Sequence, residues 1–192
     1  MTNELTHEYL LECLNYNPET GALIWKHRPE NHFKNEHGYK TWNAKFAHKT
    51  AGSLHKSTGY IRISIDYKTY RAHRLAYFHY YGYMPENGLD HKERIRNDNR
   101  IEKIREASQQ CNIRNAGMLK NNTSGVKGVS FNTRAKKHQA YIKVNMKKVH
   151  LGFHKEFDDA VMARWKGEVK YKFPNCNTSS SAYNYLKENN LI

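Results

Sequence analysis

The sequence predicts an α+β protein, and three observations carry that prediction. Tyr60-Ile61-Arg62-Ile63-Ser64-Ile65 alternates apolar and polar residues with a period of two, the mark of a half-buried strand. Three strand-like runs, Val126–Phe131, Gln139–Met146 and Val149–Phe153, precede a helical stripe of Phe157, Val161, Trp165 and Val169 at i, i+4 spacing. Between them, residues 89–115 read as strand, loop, strand and helix.

Residues 5–14 read as a short helix with Leu10, Leu11 and Leu14 on one side, and Asn17-Pro18-Glu19-Thr20-Gly21 as a turn leading into a strand at 22–25. Residues 26–50 are polar, rich in His, Lys and Asn, and read as loop. After the alternating strand, a turn at 66–68 leads to a second strand at 69–72. A helix at 73–81 then buries Leu75, Phe78 and Tyr81 and is ended by Gly82 and Pro85. Leu89-Asp90-His91 forms a strand end, residues 92–100 a polar loop, and 101–106 include a second strand. Ser108 is an N-cap for a helix through Gln110, Cys111 and Asn112. Asn121-Asn122-Thr123-Ser124-Gly125 is a turn cluster. In the central strand beyond it, Ala140, Ile142, Val144 and Met146 share the face to be covered by the helix at 157–171. Gln139, Tyr141, Lys143 and Asn145 share the open face, and a sheet of this kind can be laid into a DNA major groove. Residues 179–189 form a last short helix.

The 192 residues carry a formal net charge of +14, with a pI near 9.6. An excess of that size calls for a polyanionic partner or a membrane surface. No apolar run approaches a membrane span, and the polar, acidic start (Met1-Thr2-Asn3-Glu4) is unlike a signal peptide, so nucleic acid and a cytoplasmic location are expected. The charge is concentrated: between Glu106 and Glu156 there is no acidic residue but there are ten Lys or Arg, as expected of a phosphate-facing surface. Three scattered cysteines (Cys13, Cys111, Cys176) without a CxxC pair argue against a disulfide framework or a cysteine zinc site, and Cys111 reads as a small buried residue.

Asp90-His91 with Asn112 downstream is the candidate chemical centre. Aspartate supplies an anionic oxygen ligand for Mg²⁺ or Mn²⁺ and asparagine a neutral one. Histidine titrates near neutrality and can take a proton from water.

Leu89-Asp90-His91, Asn97-Asp98-Asn99-Arg100-Ile101-Glu102, Ile104-Arg105-Glu106-Ala107-Ser108 and Asn112 resemble the motif of the HNH endonucleases of the phage and homing type. Tyr16–Gly21, Gly59–Ile63 and His73-Arg74-Leu75-Ala76 are also similar to that family. Asn121–Val129, Tyr141-Ile142 and Leu151-Gly152-Phe153 resemble the plant ethylene-response-type DNA-binding domain. The resemblance implies a ββα-metal core at about 88–116 within a nuclease domain at 1–117, a linker at 118–121, a DNA-binding domain at 122–174 and a tail at 175–192. It implies that His91 is the general base, that Asp90 and Asn112 hold one Mg²⁺ or Mn²⁺, and that double-stranded DNA is cut by a monomer or homodimer to a 5′-phosphate and a 3′-hydroxyl. The family's middle asparagine, which orients the histidine, is Lys103 here; a lysine has donors only, so Asn97 or Asn99 is the candidate substitute. That departure leaves open a second reading, a non-cleaving DNA-binding protein derived from such an enzyme. Arg74 is a candidate phosphate contact, and Lys127, Arg134, Lys137, Gln139, Tyr141, Lys143 and Lys148 are the candidate DNA-binding residues.

Overall fold

Residues 4–173 and 180–192 are described by the structure, a computed structural model. Cys176, Ser179 as the start of the last helix, and the domain boundary after residue 174 fall outside them. The chain divides into two units, Met1–Glu106 and Ala107–Ile192, each with its own buried apolar cluster. Both combine helices with small sheets, so the architecture is α+β.

In the first unit Thr6 caps α1 (His7–Cys13), its hydroxyl accepting from the Tyr9 N–H. Leu10 and Cys13 are buried beneath it. The chain then enters β1 (Leu14–Tyr16), which pairs antiparallel with β2 (Leu23–Trp25). The turn between them is built by Asn17, whose Oδ1 accepts from the N–H groups of Glu19 at 2.9 Å and Thr20 at 3.0 Å. Gly21 closes it at φ +74°, and a Cβ there would lie 2.6 Å from the backbone nitrogen of Arg100. This turn is seated on the 98–101 loop, where the Ile101 N–H donates to the Pro18 carbonyl at 3.1 Å. Gly21→Ala is therefore expected to cost at least about 1–3 kcal/mol, read as a lower denaturant midpoint at unchanged slope. An unchanged midpoint would show that the two segments are not locked together.

The stretch expected to be loop contains an α-helix, α2 (Glu36–Phe46), capped by Asn35, whose side chain accepts from the Gly38 N–H. Its buried position is polar: Asn43 exchanges hydrogen bonds with the backbone N–H and carbonyl of Arg28 at 2.9 and 3.0 Å. Trp42 packs edge-on against Trp25, with ring centroids 5.0 Å apart.

Strands β3 (Ser53–His55), β4 (Tyr60–Ile65) and β5 (Lys68–Arg71) form an antiparallel sheet in that order. Ile63 and Ile65 enter the core while Arg62 and Ser64 stay exposed, as the alternation predicts. Helix α3 (Ala72–Tyr81) buries Leu75, Tyr77 and Phe78 and ends at Gly82 in the left-handed conformation. Tyr81, expected in the core, is half-exposed and stacks on Tyr77 at 4.5 Å. Strand β6 (Gly88–His91) pairs with β7 (Ile104–Ala107), and the boundary between the units falls within β7.

The second unit opens with α4 (Gln109–Asn115), whose cap Ser108 accepts from the Cys111 N–H at 3.2 Å. Cys111 is half-buried and disulfide-bonded, contrary to the expectation of a plain buried thiol. Strands β8 (Val129–Asn132), β9 (Lys137–Val144) and β10 (Lys147–His154) form an antiparallel sheet in the order β10-β9-β8. Ala140 and Ile142 are fully buried. Met146 does not join them: Asn145 and Met146 make the tight β9–β10 turn at φ 47° and 64°, so the alternation stops at Val144. Helix α5 (Phe157–Lys170) buries Ala160, Val161, Arg164, Gly167 and Glu168, while Val169 is half-exposed. Helix α6 (Ser181–Glu188) is capped by Ser180 and adds Ala182 and Leu186 to this core. Among the described residues no helix is long and apolar enough to cross a membrane.

Candidate active site and nucleic-acid interface

β6 delivers Asp90 and His91 next to each other but into different surroundings. The Asp90 side chain is mostly covered, and its Oδ2 accepts from Arg105 Nη2 of β7 at 3.0 Å. His91 is only 4% exposed. Its ring meets His73 of α3 edge-on at 4.8 Å and Tyr60 of β4 at 5.8 Å. Tyr60 and His73 are themselves 5.1 Å apart, so three rings from three elements close on one another. Burial holds the His91 imidazole below its ordinary pKa, although Asp90 and Asp98 pull it upward. A histidine so placed is neutral at pH 7 and able to accept a proton.

His73 is neutral more firmly. Burial, then the neighbouring His91, Arg71 and Arg74, push its pKa down to about 3. Its Nδ1 is buried without a hydrogen-bond partner among the described residues. Below its ordinary pKa of about 6.5, an unfolded chain binds a proton that the folded one refuses. The stabilising contribution is therefore complete above about pH 6.5 and shrinks as pH falls toward 3. The first unit should lose thermal stability between pH 7 and pH 4.5, and His73→Gln should flatten that loss. Equal slopes in the two proteins would refute the assignment.

The 92–100 loop is held from several directions. Lys103, at the position of the motif's middle asparagine, pairs its Nζ with Glu93 at 2.5 Å and, more distantly, with Glu102 at 3.5 Å. Its backbone carbonyl accepts from the Lys92 N–H at 2.9 Å. Asn99 is buried; its carbonyl accepts from the Tyr16 hydroxyl at 2.7 Å, while its side-chain Oδ1 has no hydrogen-bond partner among the described residues. Asn97 is exposed. Asp98 is gripped by Arg100, with Nη2 to Oδ2 at 2.5 Å, and this hydrogen bond holds its carboxyl below the ordinary carboxylate range. Arg96 Nη1 donates to the Thr58 carbonyl at 2.9 Å. Arg74 is half-buried on α3, its Nη2 3.8 Å from Met84 Sδ. Arg105, Tyr60 and Tyr16 lie in the family-like segments, but their contacts with Asp90, His91 and Asn99 exist only once segments distant in sequence are brought together.

Asn112 lies in the first turns of α4, in the second unit, half-buried. Among the described residues no group of three or more His, Cys, Asp or Glu converges to hold a metal.

On the second unit, α5 covers the sheet face that bears Ala140 and Ile142. Lys137, Gln139, Tyr141 and Lys143 alternate onto the other face of β9. Lys148 of β10 stands opposite Lys143, and His150 opposite Tyr141. The Lys148 ammonium lies 4.0 Å above the Tyr141 ring. Gln139 Nε2 donates to Ser130 Oγ at 3.0 Å. Arg134 is exposed in the β8–β9 turn. The structure thus gathers Lys137, Gln139, Tyr141, Lys143 and Lys148 on one face. It places Lys127 elsewhere: Lys127 Nζ donates to the carbonyls of Ile113 (3.2 Å), Arg114 (3.4 Å) and Ala116 (2.9 Å), closing the C-terminal end of α4.

Compared with known families, residues 70–114 match the HNH endonuclease model. The match runs from β5 through α4 and includes His73, Asp90, His91, Asn99, Lys103, Arg105 and Asn112. Neither the curated proteins nor the solved structures show a match to the chain. The segment that carries Asp90-His91 is therefore similar to the HNH endonucleases, and a nuclease is the activity this similarity indicates.

Proposed function

We propose that the chain is a divalent-metal-dependent endonuclease that hydrolyses phosphodiester bonds in double-stranded DNA, a cytoplasmic enzyme of the phage homing type, with a ββα-metal core around β6, β7 and α4. The observation that carries the reading is the neutral, ring-enclosed His91 beside the carboxylate of Asp90, within a segment similar to HNH endonucleases. His91 takes the proton from the attacking water as the new P–O bond forms. The P–O3′ bond breaks, and the departing 3′ oxygen is protonated from solvent, giving 5′-phosphate and 3′-hydroxyl ends. Asp90 is an anionic oxygen donor of the kind a hard cation takes, so the donor chemistry fits Mg²⁺ or Mn²⁺, with Asn112 as the neutral oxygen ligand. A bound ion supplies positive charge against the developing charge on the phosphate and leaving oxygen. Asp90 accepts from Arg105, which orients the carboxylate. Lys137, Gln139, Tyr141, Lys143, Lys148 and the neighbouring Arg134 make the basic sheet face a DNA-binding surface of the ethylene-response type, used by a monomer or homodimer.

The Lys103–Glu93 pair favours a second reading. It uses a side chain that cannot accept a hydrogen bond where the motif has an amide, as in a DNA-binding protein that has lost cleavage. Supercoiled plasmid incubated with the full chain in Mg²⁺, Mn²⁺ or excess chelator separates the two. Nicked or linear product with a divalent ion and none with chelator is expected. Retarded but intact plasmid under every metal would replace the endonuclease with the non-cleaving binder.

A further inference from the structure

The second unit contains a cavity of about 400 Å³ that neither the proposed hydrolysis nor the groove-facing sheet requires. Its volume is that of a small-molecule site. The residues that follow α4 form one wall, and β9 with Phe173 forms another. No acidic residue lines it, while Arg114, Lys127, Lys143 and Arg164 do. Met118 and Leu119, 52% and 75% exposed and adjacent in sequence, provide its apolar surface. Arg114 is stacked on Phe173, its guanidinium carbon 4.1 Å from the ring centroid. Tyr141 and Lys143 line this cavity and also belong to the open sheet face.

Two of these cations are committed, Lys127 to the carbonyls of Ile113, Arg114 and Ala116 and Arg164 to Glu168, so Lys143 is the cation offered to an anion, while the apolar wall suits a flat, weakly hydrated ring; a nucleotide combines the two. We propose that this cavity binds one unstacked nucleotide, with its base against Met118 and Leu119 and its phosphate at the Lys143 edge. The inference rests on the reading of DNA as the partner, and Lys143 would contact both the cavity's nucleotide and the duplex on the sheet. An extruded nucleotide costs a few kcal/mol of lost stacking and pairing, least where the base is already unpaired. Bulged DNA is therefore the favoured source, and a free nucleotide carries the same chemistry.

The test uses the full chain in chelator, so that it requires no cleavage and can fail or succeed independently of the nuclease reading. Emission of 2-aminopurine is followed as protein is titrated into its deoxynucleoside 5′-monophosphate, into the nucleoside, and into duplexes carrying 2-aminopurine in a one-base bulge or fully paired. Saturable binding of the monophosphate, tighter than the nucleoside, is expected. Met118→Asp and Leu119→Asp, both at exposed positions, should weaken it at least tenfold without altering the melting temperature. Tighter binding of the bulged duplex assigns the nucleotide to DNA, and tighter binding of the monophosphate assigns it to the free pool; either supports the site. Affinities unchanged by both substitutions, equal affinity for nucleoside and monophosphate, or no saturable binding would overturn it.

Discussion

His91→Ala should lower the rate of DNA cleavage about 10²–10⁴-fold, the usual contribution of a positioned general base. The loss should appear at saturating protein, because the basic sheet residues proposed to hold DNA, on β9 and β10, are untouched by the substitution. His91 is buried against His73 and Tyr60, so truncation also leaves a hole in the first unit. His91→Asn separates the two effects: it fills more of the space yet cannot accept the proton in the same pH range, so it should be as inactive as alanine while melting closer to the parent. Single-turnover cleavage at matched DNA occupancy is the measurement. An alanine variant that cuts at the parental rate would remove His91 from the chemistry.

Glu168→Ala should destabilise the second unit by about 3–5 kcal/mol, the usual cost of leaving one member of a buried ion pair behind. Arg164 and Glu168 are 4% and 2% exposed, one helical turn apart on α5, with Arg164 Nε to Glu168 Oε1 at 2.8 Å. Arg164 Nη1 also donates to the Tyr141 carbonyl at 2.6 Å, which ties the helix to the middle of the sheet. Gly128 leaves room for this guanidinium, since a Cβ there would come within 2.6 Å of Nη1. Without Glu168 the buried cation keeps its backbone acceptor but loses its counter-charge. The double substitution Arg164→Met/Glu168→Leu removes both charges and should cost less than Glu168→Ala alone. Native-state hydrogen exchange at the Tyr141 and Ile142 amides reads the change locally. A loss below about 1 kcal/mol would mean that the pair is a solvated surface pair, against its burial.

Much of this was legible in the sequence where local chemistry decides. The Ile63/Ile65 alternation, the Ser108 cap and the strand run of the second unit all act through neighbours in sequence. Helix α2 is marked only by Tyr39, Trp42 and Phe46 at i, i+3, i+7, none of them fully buried, in an otherwise polar stretch, while the residue it buries is Asn43, whose partners are the backbone of Arg28. The apolar stripe on α5 ends one step before Val169. Each i, i+4 step rotates about 40° around a helix of 3.6 residues per turn, so Val169 has turned out of the interface that Val161 occupies. The face is completed by Arg164 and Glu168, which a hydrophobic pattern counts as solvent-facing. At the candidate site, Asp90, His91 and Asn112 stood out by residue type and spacing. Arg105 on Asp90, Tyr16 on Asn99 and the ring contacts of Tyr60 could not, because each joins segments that only the fold brings together.

That Asp90-His91 is the chemical centre is tested most directly by replacing Mg²⁺ with Fe²⁺ and letting ascorbate and peroxide generate hydroxyl radicals at the bound ion. Backbone scission is predicted in the Asp90 segment and in the Asn112 segment, competed by Mg²⁺ and lost in Asp90→Ala. Scission elsewhere in the chain, unchanged by Asp90→Ala, would contradict the assignment.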